Sequence, residues 1–107
     1  MPISTSLQED VNGGKILNIS ISGRFDISMY SEFGSSYKNH IGNVSKIVVD
    51  MFELDYLDSS ALGMLLMLRE RAGGVSANIE LVNISPAVGK ILSTVKFDKL
   101  FSTKMAV

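Results

Sequence analysis

Neither cysteine nor tryptophan occurs in these 107 residues, and histidine appears once, at His40. The missing thiols exclude a disulfide scaffold, a thiolate metal site and cysteine catalysis, and they fit a reducing compartment. A single imidazole rules out a histidine-rich metal centre. Surplus charge is absent too: 10 basic and 11 acidic residues leave a formal net charge of −1, which withholds the basic field that DNA or RNA binding draws on. No apolar run approaches the roughly 20 residues of a membrane-crossing helix. The opening Met1-Pro2-Ile3-Ser4-Thr5 lacks the basic-then-apolar order of a secretory signal, so the expected setting is the cytoplasm, with no nucleic acid and no membrane as partner.

What is present is core material. Hydrophobic residues make up 46% of the chain and charged residues 20%, enough apolar surface to offset chain entropy without metal or disulfide. The length suits one hydrophobic core, so residues 1–107 are expected to form one domain.

Asn12-Gly13-Gly14 punctuates two runs of period-2 alternation, Ile3, Thr5, Leu7 and then Leu17, Ile19, Ile21, which reads as an antiparallel hairpin with one polar face. After Gly23-Arg24-Phe25-Asp26, Ser28 offers an N-cap for a helix to about His40. Lys46 to Met51 is β-branched without alternation, the pattern of a central strand covered on both faces. Asp58-Ser59-Ser60 opens a helix over Ala61 to Ala72 that stops at Gly73-Gly74. Ile79, Leu81 and Val82 give another strand, Ser85-Pro86 starts another helix, and Phe97 to Phe101 leads into a short tail. A hairpin followed by alternating strand and helix predicts an α/β domain with a mixed sheet and helices packed mainly on one face.

Enzyme chemistry finds little to stand on. A triad of His40 with Ser59 or Ser60 has no Gly-x-Ser-x-Gly elbow. Asp50, Glu53, Asp55 and Asp58 crowd one region; such acids invite Mg²⁺, yet turn formation and solvated loop charge account for them more often. Neither glycine pair belongs to a phosphate loop. A phosphoacceptor Asp50 of the response-regulator kind lacks both the acidic pair after the first strand and a lysine after Ile79–Val82. No catalytic residue, metal or cofactor is expected.

Asp58-Ser59-Ser60 remains. Its plain role is helix capping, but two serines stand where one would cap, so the second hydroxyl is free at a helix N-terminus, where a phosphate meets unpaired N–H groups and the positive end of the dipole. Here Ile47-Val48-Val49-Asp50-Met51 and Tyr56-Leu57-Asp58-Ser59-Ser60-Ala61-Leu62-Gly63-Met64-Leu65-Leu66 resemble the STAS domain of bacterial anti-sigma factor antagonists around their phosphorylated serine. Gly23-Arg24-Phe25-Asp26, Val82 to Val88 and Phe97 to Phe101 are similar to further family segments, in the same order.

The resemblance implies a partner switch. The unphosphorylated protein binds a serine kinase of the GHKL ATPase type that doubles as anti-sigma factor; phosphorylation ends binding, and a PP2C-type phosphatase resets the switch. By position the phosphoacceptor is Ser60, with Ser59 as neighbour and cap, and Asp26 and Asp58 lie near the kinase contact. ATP and Mg²⁺ then belong to the kinase. Ala61 departs from the family's usual glycine and narrows the approach of a partner. The chain stops at Val107, near the end of the family's last strand, which favours a monomer or weak dimer. The competing expectation is a non-switching STAS subunit of a transporter or lipid-trafficking assembly, with the serines as caps only.

On a helical wheel, Ala61, Leu65, Leu68 and Ala72 face the core, with Leu62 nearby, while Ser60, Met64, Met67 and Arg71 fall opposite. That places a methionine ridge beside the phosphoacceptor, next to Ser59, Ala61 and Gly63, as the expected docking face.

Overall fold

The computed structural model describes residues 2–107. Its hairpin joins β1 (Ile3–Glu9) to β2 (Lys15–Phe25) in antiparallel register. Asp10 builds the turn: its Oδ1 accepts from the backbone N–H of Asn12 at 2.8 Å and of Gly14 at 2.9 Å. A Cβ on Gly14 would lie 2.7 Å from Asp10 Oδ2, so this position takes glycine for space as well as for the turn.

A 3₁₀ turn (Ile27–Met29) leads into α1 (Tyr30–Lys38), followed by β3 (Lys46–Leu57), α2 (Ser59–Arg71), β4 (Ile79–Ile84), α3 (Pro86–Thr94) and β5 (Ser102–Met105). The sheet order is β1-β2-β3-β4-β5, with every pair after the hairpin parallel. Each crossover therefore advances one strand in the same direction. Because such crossovers share one hand, α1, α2 and α3 land on the same face of the sheet. The predicted mixed sheet with helices on one face is what the chain forms.

Between the layers lie Leu17, Ile19 and Ile21 of β2, Ile47, Val49 and Met51 of β3, Ile79 and Leu81 of β4, and from the helices Phe33, Tyr37, Ala61, Leu65, Leu68, Val88 and Leu92. Phe33 packs against Phe25 and Tyr37 with ring centroids 5.1 and 5.6 Å away. The opposite face is polar. There Glu80, 7% exposed, sits between Lys46 and Lys104, each 3.2 Å away.

Several expectations change. In β1, an edge strand with a neighbour on one side only, just Ile3 is buried, while Thr5 and Leu7 are exposed. β3 is not covered on both faces: Ile47, Val49 and Met51 are buried, whereas Val48 and Asp50 are only half-buried. It also continues to Leu57, through a register shift against β2 between Asp50 and Glu53 that moves burial onto Leu54 and Leu57. Asp50 pins this bulge, its Oδ1 accepting from Phe52 N at 3.0 Å and Asn83 Nδ2 at 2.9 Å. The first helix ends at Lys38 instead of His40, and Ser28 does not cap it: Asp26 caps the 3₁₀ turn that precedes it, and α1 itself has no side-chain cap. Finally, the tail after Phe101 pairs with β4 as the edge strand β5.

Candidate functional site

The parallel strands β2 and β3 finish side by side, with Arg24 opposite Tyr56 and Phe25 opposite Leu57. Each ends in a buried apolar residue followed by Asp-x-Ser: Phe25-Asp26-Ile27-Ser28 and Leu57-Asp58-Ser59-Ser60. Both aspartates are extended, and both turn Oδ1 onto the serine two residues ahead. Asp58 Oδ1 accepts from Ser60 N at 3.0 Å, Ser60 Oγ at 2.6 Å and Ala61 N at 3.3 Å. Asp26 Oδ1 accepts from Ser28 N at 3.0 Å and Ser28 Oγ at 2.5 Å. A short polar side chain with extended backbone can close this ring around the first free N–H groups, which is why Asp opens both segments.

The two caps are joined. Tyr56 OH donates to Asp58 Oδ2 at 3.3 Å, the Arg24 guanidinium carbon lies 3.8 Å from the centre of the Tyr56 ring, and Arg24 Nε donates to Asp26 Oδ2 at 3.4 Å. One chain of contacts thus runs Ser60, Asp58, Tyr56, Arg24, Asp26, Ser28. The Ser60 hydroxyl is the main influence holding the Asp58 carboxyl below its ordinary pKa, with desolvation opposing it and the Ala61 and Ser60 amides and Tyr56 adding to it. Asp26 is lowered likewise, first by the Ser28 hydroxyl and amide, then by Arg24.

The expected cap, Ser59, is exposed and the N-cap is Asp58 instead; Ser60 is half-buried and its hydroxyl, expected to be free, is tied to the Asp58 carboxylate. Gly63 is exposed, and a Cβ there would meet nothing within 4 Å. Ala61 is fully buried and does not face a partner. The wheel also misplaced Met64, which is 4% exposed: α1 packs against that flank of α2 and turns a nominally outer position into core. Met67 is half-buried, with Tyr30 OH 3.9 Å from its sulfur. Met64, Met67 and Arg71 therefore line a groove of about 260 Å³ between α1 and α2 together with Tyr30, Gly34 and Lys38, instead of forming a free ridge. Ala72, placed on the core face, is only partly buried.

His40 follows α1 and precedes β3, whereas Ser60 follows β3, so the length of the sheet separates them and no triad forms. Among the described residues no cluster of three or more His, Asp or Glu side chains suits a metal ion, and no helix is long and apolar enough to cross a membrane. Sequence reasoning missed Arg24, Tyr56 and the twin cap at Ser28. The twin was visible as a repeated apolar-Asp-x-Ser; the Arg24–Tyr56 stack depends on strand register and had no local signal.

The family profile described as "Mlab, STAS domain" matches residues 12–103. A STAS-domain containing protein of Pseudomonas aeruginosa (strain UCBPP-PA14) is 48% identical over 88 residues, which are 82% of this chain and 87% of that protein. Among solved structures, an anti-sigma factor antagonist from Mycobacterium paratuberculosis superimposes with a TM-score of 0.72 at 20% identity, over 95% of this chain and 85% of the other. The anti-sigma factor antagonist SpoIIAA of Bacillus, in its unphosphorylated form, gives 0.71 at 20% identity, over 94% and 87%. At that identity the likeness is one of fold.

Proposed function

This chain belongs to the STAS-domain family, and from that premise we propose that it is a partner-switching regulator of the anti-sigma factor antagonist kind, with Ser60 as its switch. Unphosphorylated, it binds a GHKL-type serine kinase that also acts as anti-sigma factor. Transfer of the γ-phosphoryl group of ATP forms the Ser60 Oγ–P bond as the bond to ADP breaks, the hydroxyl proton passes to base, and binding ends. A PP2C-type phosphatase returns the hydroxyl by hydrolysis. The chain needs no cofactor or active site of its own, and its working place is the cytoplasm.

The observation that carries this reading is the Ser60 hydroxyl, half-buried at the N-terminus of a thirteen-residue helix and aimed at Asp58 Oδ1 at 2.6 Å. Asp26, Asp58, exposed Ser59 and Gly63 form the contact surface around it. A phosphate introduced into such a contact brings about −1.5 to −2 charges into a desolvated, acid-flanked patch. Like-charge juxtaposition there costs several kcal/mol, enough for a switch without refolding. The formal charge of the chain moves from −1 to roughly −3.

Incubation with the co-purifying kinase and ATP, followed by mass-spectrometric mapping, is expected to place phosphate on Ser60. Phosphate on Ser59 alone, or none, would sink the assignment. A second reading, a non-switching subunit of a transporter or lipid-trafficking assembly, draws support from the solved sulfate transporter family protein of Wolinella succinogenes, which shares the fold at a TM-score of 0.70 and 11% identity. Recovery of a membrane ATPase in place of a soluble kinase-like ATPase would favour it.

A further inference from the structure

Ser60 Oγ lies 2.6 Å from Asp58 Oδ1 because the hydroxyl has a hydrogen to donate. A phosphoryl group on that oxygen removes the hydrogen and sets an anion against a carboxylate at contact distance. The shortest hydrogen bond of the cap becomes a repulsion, while the Ser60 and Ala61 amides stay on Asp58 Oδ1, and a cation drawn in would relieve it. The contact network contains one. Arg24 stacks on the face of Tyr56, whose hydroxyl is bonded to Asp58, and among the described residues its charged partner is Asp26, at 3.4 Å with the arginine side chain 63% exposed.

An exposed ion pair of that length is weak and exchangeable, whereas a guanidinium on phosphate makes two parallel charge-assisted bonds. Stacking holds the guanidinium over the ring whose hydroxyl is bonded to Asp58, with Nε on Asp26. Lys46 and Lys104, by contrast, are committed to Glu80 on the helix-free face.

We propose that Arg24 is the intramolecular counter-ion of a phosphoryl group on Ser60, exchanging Asp26 for the phosphate while it remains on the Tyr56 ring. The proposal deepens the switch reading and rests on it for its biological sense. It gives Asp26 a second state as well: when Ser60 is modified, Asp26 loses its cation and the α1 entry becomes more acidic, so the change at one cap reaches the other.

The test does not require the kinase. Phosphoserine is installed at position 60 by genetic encoding, and its phosphate is titrated by ³¹P NMR in the otherwise wild-type protein and in Arg24→Gln, Arg24→Lys and Tyr56→Leu variants. The phosphate is expected to titrate about half a unit lower with Arg24 than with glutamine, roughly threefold in proton affinity. Lysine should keep part of the shift and Tyr56→Leu should lose part of it. Thermal melts of the unmodified variants check folding, which substitution of an exposed side chain should leave intact. Superimposable titrations with and without Arg24 overturn the proposal, even if encoded phosphoserine abolishes kinase binding. A shifted titration with kinase binding unchanged upholds Arg24 as counter-ion and overturns the switch.

Discussion

The ends of β2 and β3 carry the same cap and lead to different things. Asp26 with Ser28 and Asp58 with Ser60 form nearly superimposable hydrogen-bonded rings, with hydroxyl contacts of 2.5 and 2.6 Å. Behind Asp26 stands a three-residue 3₁₀ turn, after which α1 begins at Tyr30, its N-cap Met29 making no side-chain hydrogen bond. Behind Asp58 a thirteen-residue helix starts at once, with a second N–H, that of Ala61, also on the carboxylate. Behind Ser60 the peptide dipoles align in one thirteen-residue α-helix, whereas behind Ser28 a 3₁₀ turn precedes a nine-residue one. Equal local chemistry therefore yields one serine at the N-terminus of a long α-helix and one in a short 3₁₀ turn. What distinguishes the Ser60 cap is the helix behind it, held down by the buried Met64, Leu65 and Leu68.

That comparison breaks most visibly at the anchorage of α2. Met64→Ala is expected to cost about 2–5 kcal/mol, as for other buried large-to-small changes, and half-buried Met67→Ala under about 1 kcal/mol. Denaturant melts giving equal losses would return Met64 to the surface. Next comes partner binding. Ser60→Asp is expected to weaken kinase binding by on the order of 100-fold, while Ser60→Ala and Ser28→Asp stay within a few-fold of wild type by calorimetry. Comparable loss from Ser28→Asp would show that the two caps are functionally equivalent.

Smaller effects separate the caps themselves. Asp58→Ala should lower the melting temperature by several degrees, and Asp26→Ala by less, since only Asp58 bonds two amides of a long helix. Smallest is the pH dependence. Both carboxyls are held below their ordinary pKa, so the stability they contribute is complete above the unfolded value near 3.9 and is lost as pH falls through the folded values. Replacing both by asparagine should flatten the acid limb of a melting-temperature profile below about pH 4; an unchanged limb would assign acid sensitivity elsewhere, with Asp10 the next carboxyl held low by backbone amides.

Much of this was legible from short-range pattern. Asn12-Gly13-Gly14 marked the hairpin, Ser85-Pro86 the start of α3, and Gly73-Gly74 the end of α2, because turns and caps are set by residues within a few positions of one another. Burial was less legible. Lys46–Met51 looked like a strand covered on both faces because Ile47, Val48 and Val49 run without alternation, yet only the odd positions are buried. Met64 looked exposed because a wheel knows the helix axis and nothing of the neighbour beside it. Likewise Asp58-Ser59-Ser60 announced a capped helix, but which serine is tied to Asp58 required the backbone angles of the cap.

The sequence by itself determined the order of the elements, the two Asp-x-Ser caps and the absence of thiol or histidine-rich chemistry, since each follows from residue type and near neighbours. Only the tertiary structure decided that the caps lie side by side. Parallel register sets Arg24 opposite Tyr56, residues separated by a whole crossover, and only that register brings a cation, an aromatic ring, two carboxylates and two hydroxyls together at the C-terminal ends of two neighbouring strands.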